Sequence, residues 1–85
     1  MPVIFAKSFD KDFKKLLPKV KSRFNVRLKR FMNDKFAPEL NNHSVDVAYQ
    51  GCRSINVTGD YRAIYREKDS TAVFVRIGTH PDLYS

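Results

Sequence analysis

A single cysteine, Cys52, is all the thiol in this chain of 85 residues, so no internal disulfide can form and no thiolate cluster can hold a metal. A reducing compartment is the matching address. Long apolar runs are missing too, because Ala72 to Val75 and the residues around Phe5 span a handful of positions where a bilayer crossing needs roughly 20. No membrane partner is expected. The start, Met1-Pro2-Val3-Ile4, lacks the basic leader, apolar centre and small-residue cleavage site of an export signal, and the expected location is the cytoplasm. His43 and His80 lie far apart, with no ligand spacing around Cys52. Neither a metal, a cofactor nor a small-molecule ligand is expected.

Acids are scarce in one half only. The chain carries 16 Lys and Arg against 9 Asp and Glu, a formal net charge of +7, and all of the excess falls within residues 1–42. Such a one-sided field attracts polyanions by counterion release, and RNA or DNA is the commonest polyanion. A solvated, lysine-rich helix face kept for solubility has the same composition.

The length predicts one domain over residues 1–85. Val3, Ile4 and Phe5 read as a short strand. Ser8 reads as a helix cap with Asp10 and Asp12 in the first turn, and Phe9, Phe13, Leu16 and Leu17 form a stripe along a helix that Pro18 should end at Leu17. A second helix is predicted from about Lys19 to Asn33, with Val20, Phe24, Leu28 and Phe31 on one side. Residues 37–46 read as an irregular connection. From there the period changes to two, giving strands at Arg53 to Val57, Tyr61 to Arg66 and Thr71 to Gly78, joined by turns at Thr58-Gly59-Asp60 and Glu67-Lys68-Asp69-Ser70.

The order strand, helix, helix, three strands predicts an α+β domain in which a two-helix hairpin packs on one face of a small antiparallel sheet. Strict alternation assigns Ile55, Val57, Ala63, Tyr65, Val73, Val75 and Ile77 to the helix-facing side. Ser54, Asn56, Arg62, Ile64, Arg66, Phe74 and Arg76 then share an open, arginine-bearing side. His80 follows the last strand and His43 lies in the loop entering the sheet. Crowded arginines are costly unless acids pair with them or an anion visits, and Asp60, Glu67, Asp69 and Asp82 are the available acids.

Three motifs occur in order: Gly-x-Arg at Gly51, Tyr-Arg-x-x-Tyr at Tyr61, and Gly-Thr-His-x-x-Leu-aromatic from Gly78 to Tyr84. With them the chain resembles the RelE/ParE toxin superfamily along nearly its whole length, and above all the YafQ-like branch of small ribosome-dependent endoribonucleases. The resemblance implies a toxin of a type II toxin-antitoxin system, with mRNA, the ribosome and a cognate antitoxin protein as partners. It places His43, Asp60, His80 and Tyr84 on active-site positions of that branch, and Arg62 on the RelE-branch arginine that contacts the scissile phosphate. Asn56 departs from the pattern, standing where a YafQ-like toxin has another histidine.

Metal-free RNA cleavage needs a base for the 2′-hydroxyl, cationic donors for the phosphate and an acid for the leaving 5′-oxygen. Histidine, with an ordinary pKa of about 6.5, suits the acid or base role, which falls to His80. Arg62, assisted by Arg76 or Arg66, is the candidate phosphate clamp, since its planar fork matches an oxyanion as no lysine does. Asp60 or His43 is the complementary proton carrier, Asn56 a substrate contact, and Tyr84 a surface on which a base can stack. Plainer roles stand beside these: Asp60 as a turn former, His43 as a local hydrogen-bonder, Tyr84 as a staple for the terminus. Arg53 has the parity of a structural arginine paired with an acid or a carbonyl, and Cys52 reads as a packing residue. Two functions compete with nuclease activity: gyrase inhibition of the ParE type, and RNA binding without cleavage.

Overall fold

Val3–Phe5 form β1, and the chain turns at once into helix α1, Lys7–Lys14, in a computed structural model that describes residues 1–84. Ala6, not Ser8, is the extended residue that opens α1. Ser8 lies inside the helix, and its hydroxyl donates to the Val75 carbonyl at 2.6 Å, tying α1 to the sheet. The helix stops at Lys15, short of the predicted Leu17, because Leu17 is extended and Pro18 opens the next helix as its first residue. That position suits proline, which has no N–H to leave orphaned there.

Helix α2, Pro18–Asn33, follows the predicted stripe and buries Val20, Phe24 and Phe31. The expected irregular stretch holds a single 3₁₀ turn, Pro38–Leu40, and a two-residue strand β2, His43–Ser44. Then come β3, Arg53–Asn56, β4, Tyr61–Lys68, and β5, Thr71–Thr79. Asp69 and Ser70, with φ of 53° and 64°, make the two-residue left-handed turn that a twisted hairpin favours. A short helix α3, His80–Tyr84, was not anticipated.

The five strands form one sheet in the order β1-β5-β4-β3-β2, antiparallel except that β1 runs parallel to β5. This is the α+β arrangement predicted, with β1 added at the edge. Between the sheet and the two long helices lies a core rich in rings. Phe9, Phe24, Phe31, Tyr65 and Phe74 are buried within it, with neighbouring centroids 4.8 to 6.0 Å apart.

The β5 faces depart from strict alternation. Ile64 pairs with Arg76 but Tyr65 pairs with Phe74, so Val75 is an extra residue on β5, a β-bulge. Past it the alternation shifts by one. Phe74 therefore packs against the helices, opposite to its predicted side, while Val75 packs on the other face. Val73, across from Arg66, shares that other face. Ile77 still reaches the core.

The face expected to be open is partly roofed. Ile64, Cys52 and Leu83 form a second buried cluster, with Val45, Tyr49, Val75 and Tyr84 against it. The loop after β2 and helix α3 supply this cover, because an apolar Ile64 and Val75 on that side must be screened from water. Among the described residues, no helix is long and apolar enough to cross a membrane.

Candidate functional site

The end of β5 and the start of α3 form one local device. Thr79 and Asp82 cap the helix reciprocally: the Thr79 N–H donates to Asp82 Oδ2 at 3.1 Å, and the Asp82 N–H donates to Thr79 Oγ1 at 3.3 Å. These bonds hold the Asp82 carboxyl below its ordinary pKa, with Arg76 and Lys15 adding to the effect. The pattern Thr79-His80-Pro81-Asp82 is a capping sequence, a signal legible in the residues but missed beside the motif. Gly78 lets the helix fold back, since a Cβ there would stand 3.1 Å from Asp82 Cβ and 3.3 Å from its Oδ2. His80 is thereby presented to solvent as the first residue of α3.

His80, Arg62 and Asp60 line one hollow of about 460 Å³, together with Gly59, Tyr61 and Thr79. Three of the predicted site residues thus meet. Arg62 is braced there: its Nη1 donates to the carbonyls of Thr58, Gly59 and Tyr61 at 2.9 to 3.1 Å. Among the described residues, its Nε and Nη2 take no protein acceptor, which leaves two nitrogens for an anion. Tyr84 does not line this hollow but packs against His80. Its ring lies 4.6 Å from that of His80 and 5.7 Å from that of Tyr49. Burial, helped by Tyr49, raises its phenol pKa, and the charge of Arg62 opposes the rise.

Asn56 pairs with Arg62 across the sheet, so the two share a face. Among the described residues its buried Oδ1 has no hydrogen-bond partner, and orphaned acceptors of this kind cost about 1–3 kcal/mol.

His43 occupies the same face but not the hollow. It pairs with Ser54, two strand spacings from β4, or roughly 10 Å, and about two residues along from the level of Asn56. Its Nδ1 lies 2.8 Å from the Asn41 carbonyl, a pure acceptor. Nδ1 must carry the proton, so Nε2 of the neutral ring keeps its lone pair for an incoming group.

Two arginines do not join the cluster. Arg76 is committed to Asp12 of α1, with Nε 2.6 Å from Oδ2 and Nη2 3.4 Å from Oδ1, a pairing that raises its pKa. The bulge at Val75 and the approach of α1 bring that carboxylate within reach, so Arg76 enters an internal ion pair with α1. Arg66 is exposed four residues along β4 from Arg62, about 13 Å away, and borders no part of the hollow. Arg53 meets its structural expectation, donating to Asn42 Oδ1 at 2.7 Å and to the Asn42 carbonyl at 3.3 Å. Cys52 is buried, which pushes its thiol pKa up and away from nucleophilic use.

Comparison with known proteins fits this geometry. A family model described as "Bacterial toxin of type II toxin-antitoxin system, YafQ" matches residues 1–85. Among solved structures, YafQ from E. coli strain BL21(DE3) superposes with a TM-score of 0.82 at 22% identity, covering 98% of this chain and 97% of that one. A copper-bound mutant toxin from Helicobacter pylori gives 0.79 at 28% identity, over 99% of each chain. A RelB-RelE antitoxin-toxin complex from Methanococcus jannaschii gives 0.75 at 22%, over 95% and 94%. Among the described residues of the present chain, no three His, Cys, Asp or Glu side chains gather to hold a metal ion. Comparison with curated protein sequences finds no significant match.

Proposed function

Because the chain belongs to the YafQ family of bacterial type II toxins, we propose that it is an endoribonuclease that cuts mRNA on the ribosome and is held in check by a cognate antitoxin. The observation that carries this reading is the hollow that His80, Arg62 and Asp60 share, with the Tyr84 ring against His80. An acid–base group, a cationic fork and an aromatic face are the parts that RNA cleavage requires.

In the proposed reaction the 2′-oxygen attacks the adjacent phosphorus and its proton passes to a base. The bond from phosphorus to the 5′-oxygen breaks, and that oxygen takes a proton from an acid. The products are a 2′,3′-cyclic phosphate and a free 5′-hydroxyl. Arg62 directs Nε and Nη2 at the phosphate while Nη1 stays anchored, so the fork is already oriented before substrate arrives. His80 is the acid for the 5′-oxygen. Asp60 is the nearer base, and His43 serves only if the RNA bends along the face towards β2. Tyr84 stacks on a base beside the cut. With few groups of its own to hold a strand, the chain relies on the ribosome to present the mRNA. The exposed lysines of α1 and α2 supply attraction to rRNA.

The antitoxin partner draws support from the RelB-RelE complex and from a DinJ-YafQ complex of E. coli that shares the fold at a TM-score of 0.80. The test is cleavage of a defined mRNA in a translating extract. The wild type is expected to give discrete cuts, and His80→Ala and Arg62→Ala to lose them by about 100-fold or more. Undiminished cutting by His80→Ala would remove that residue from the chemistry. Growth arrest without any cut would favour a gyrase-type target.

A further inference from the structure

We propose that the hollow between the start of α2 and the β3–β4 turn is a base-binding subsite for the nucleotide next to the scissile linkage of a single-stranded RNA. The substrate class rests on the nuclease reading above; the site itself rests on separate geometry.

Tyr61 stands at a junction of hollows. It borders the one that holds His80 and Arg62, and it also borders a second, of about 510 Å³, walled by Leu17, Val20 and Asp60 and rimmed by Lys19 and Arg23. That volume lies within the range of about 300–1,000 Å³ typical of small-molecule sites. Tyr61 and Asp60 line both, so the two hollows adjoin at the tip of the β3–β4 hairpin. A strand whose phosphate meets Arg62 on one side has its neighbouring base at the second hollow on the other.

The chemistry suits a base. Leu17 is 61% exposed although it is a large apolar residue, and the partly buried Tyr61 continues its surface, with the buried Val20 beneath. Leu17 is held there by its extended backbone just before Pro18, so the apolar wall is fixed before any ligand binds. Lys19 and Arg23 are four residues apart on α2 and thus on one side of it. Neither takes part in the ion pairs of the described residues, which are Arg30–Glu39, Lys35–Glu67 and Arg76–Asp12. An aromatic and aliphatic floor under two unpaired cations is how single strands are bound, with stacking in the groove and phosphate at the rim. The Asp60 carboxylate, where the two hollows adjoin, keeps phosphate out of the second, so the base goes in and the backbone stays at the cationic rim.

The probe is a trinucleotide with 2′-O-methyl riboses, which cannot be cut, titrated at low salt into the whole chain and followed by NMR. A matched strand lacking one base is run beside it. The intact strand is expected to shift the Leu17 and Val20 methyls and the Tyr61 ring, and to bind about tenfold more tightly than the strand lacking the base. Leu17→Asp should abolish that difference, and Arg23→Glu should weaken both strands. Leu17 is exposed, so its replacement leaves the core intact, unlike that of Tyr61.

Equal binding of the two strands, or shifts that avoid these three residues, would overturn the proposal. So would the absence of binding at millimolar strand together with an unchanged choice of cut sites by Leu17→Asp in the translating extract. Shifts at Leu17 alongside full cutting by His80→Ala would leave the subsite standing and reject the role given to His80.

Discussion

The hydroxyl of Tyr49 donates a hydrogen bond to the backbone carbonyl of Leu83, fastening the loop after β2 to the last turn of the chain. The same hydroxyl faces Arg76 Nη1 at 3.5 Å, and Arg76 is held in turn by Asp12 of α1. Helix α3 has five residues, too few to persist alone, and it carries both His80 and Tyr84. Tyr49→Phe keeps the ring and deletes this bond, at an expected cost of about 1 kcal/mol. Amide exchange in α3 should quicken by about fivefold while that of β4 stays as it was. Unchanged exchange would show that Leu83 packing and the Thr79–Asp82 cap hold the helix without it.

The bulge at Val75 predicts unequal costs for neighbouring residues. Phe74 touches Phe9, Phe24, Phe31 and Tyr65 in the main core, and Phe74→Ala should cost about 3–5 kcal/mol. Val75 is half-buried on the other face, and Val75→Ala should cost about 1 kcal/mol. Urea denaturation of the two variants measures the difference. The order would reverse if the strand kept strict alternation.

Gly78→Ala places a methyl 3.1 Å from Asp82 Cβ, so α3 must move outward by a few tenths of an ångström or more. His80 moves with it. The expected result is a folded protein whose cutting of mRNA falls by about tenfold or more, since a small misplacement of a catalytic group is costly. Circular dichroism and the translation assay together check it.

Asp82 gives the α3 cap a defined acid limit. Its carboxyl pKa is lowered in the fold by the Thr79 bonds. A lowered carboxylate pKa stabilises the fold above the unfolded value and stops doing so as pH falls through the folded value. The cap should therefore hold at neutral pH and loosen below the usual carboxylate range, at about pH 4 and under. Amide exchange of α3, compared with that of Asp82→Asn, should show this pH dependence in the wild type alone.

Asn56→His would put beside Arg62 the histidine that the resemblance to YafQ-like toxins leads one to expect there, and remove a buried oxygen with no partner among the described residues. Cutting in the extract is expected to rise by about tenfold or more, as an added proton-transfer group allows. A fall would mean that the amide itself serves the substrate.

Much of the fold follows from local rules that the residues display on their own. The stripe Val20, Phe24, Phe31 sets α2, and the alternation Ile55, Val57, Ala63, Tyr65 turns one face of β3 and β4 towards the helices, because period and burial are coupled within a few residues. The motif ending in Gly78-Thr79-His80 likewise nominated candidate residues, and Thr79 and His80 do line a hollow. What it could not reveal was company. That Arg76 meets Asp12 depends on a bulge one residue away and on a helix 64 residues earlier in the chain.

Sequence by itself determined the order of the main strands and helices and the charge asymmetry, and it nominated His80, Arg62 and Asp60 as candidates through the resemblance. Tertiary structure alone decided that these three share a hollow, that Arg76 and Arg66 stay out of it, and that Tyr61 and Asp60 also border a second. Propensity acts between neighbours along the chain, whereas a site is made by side chains that only packing and strand register bring together.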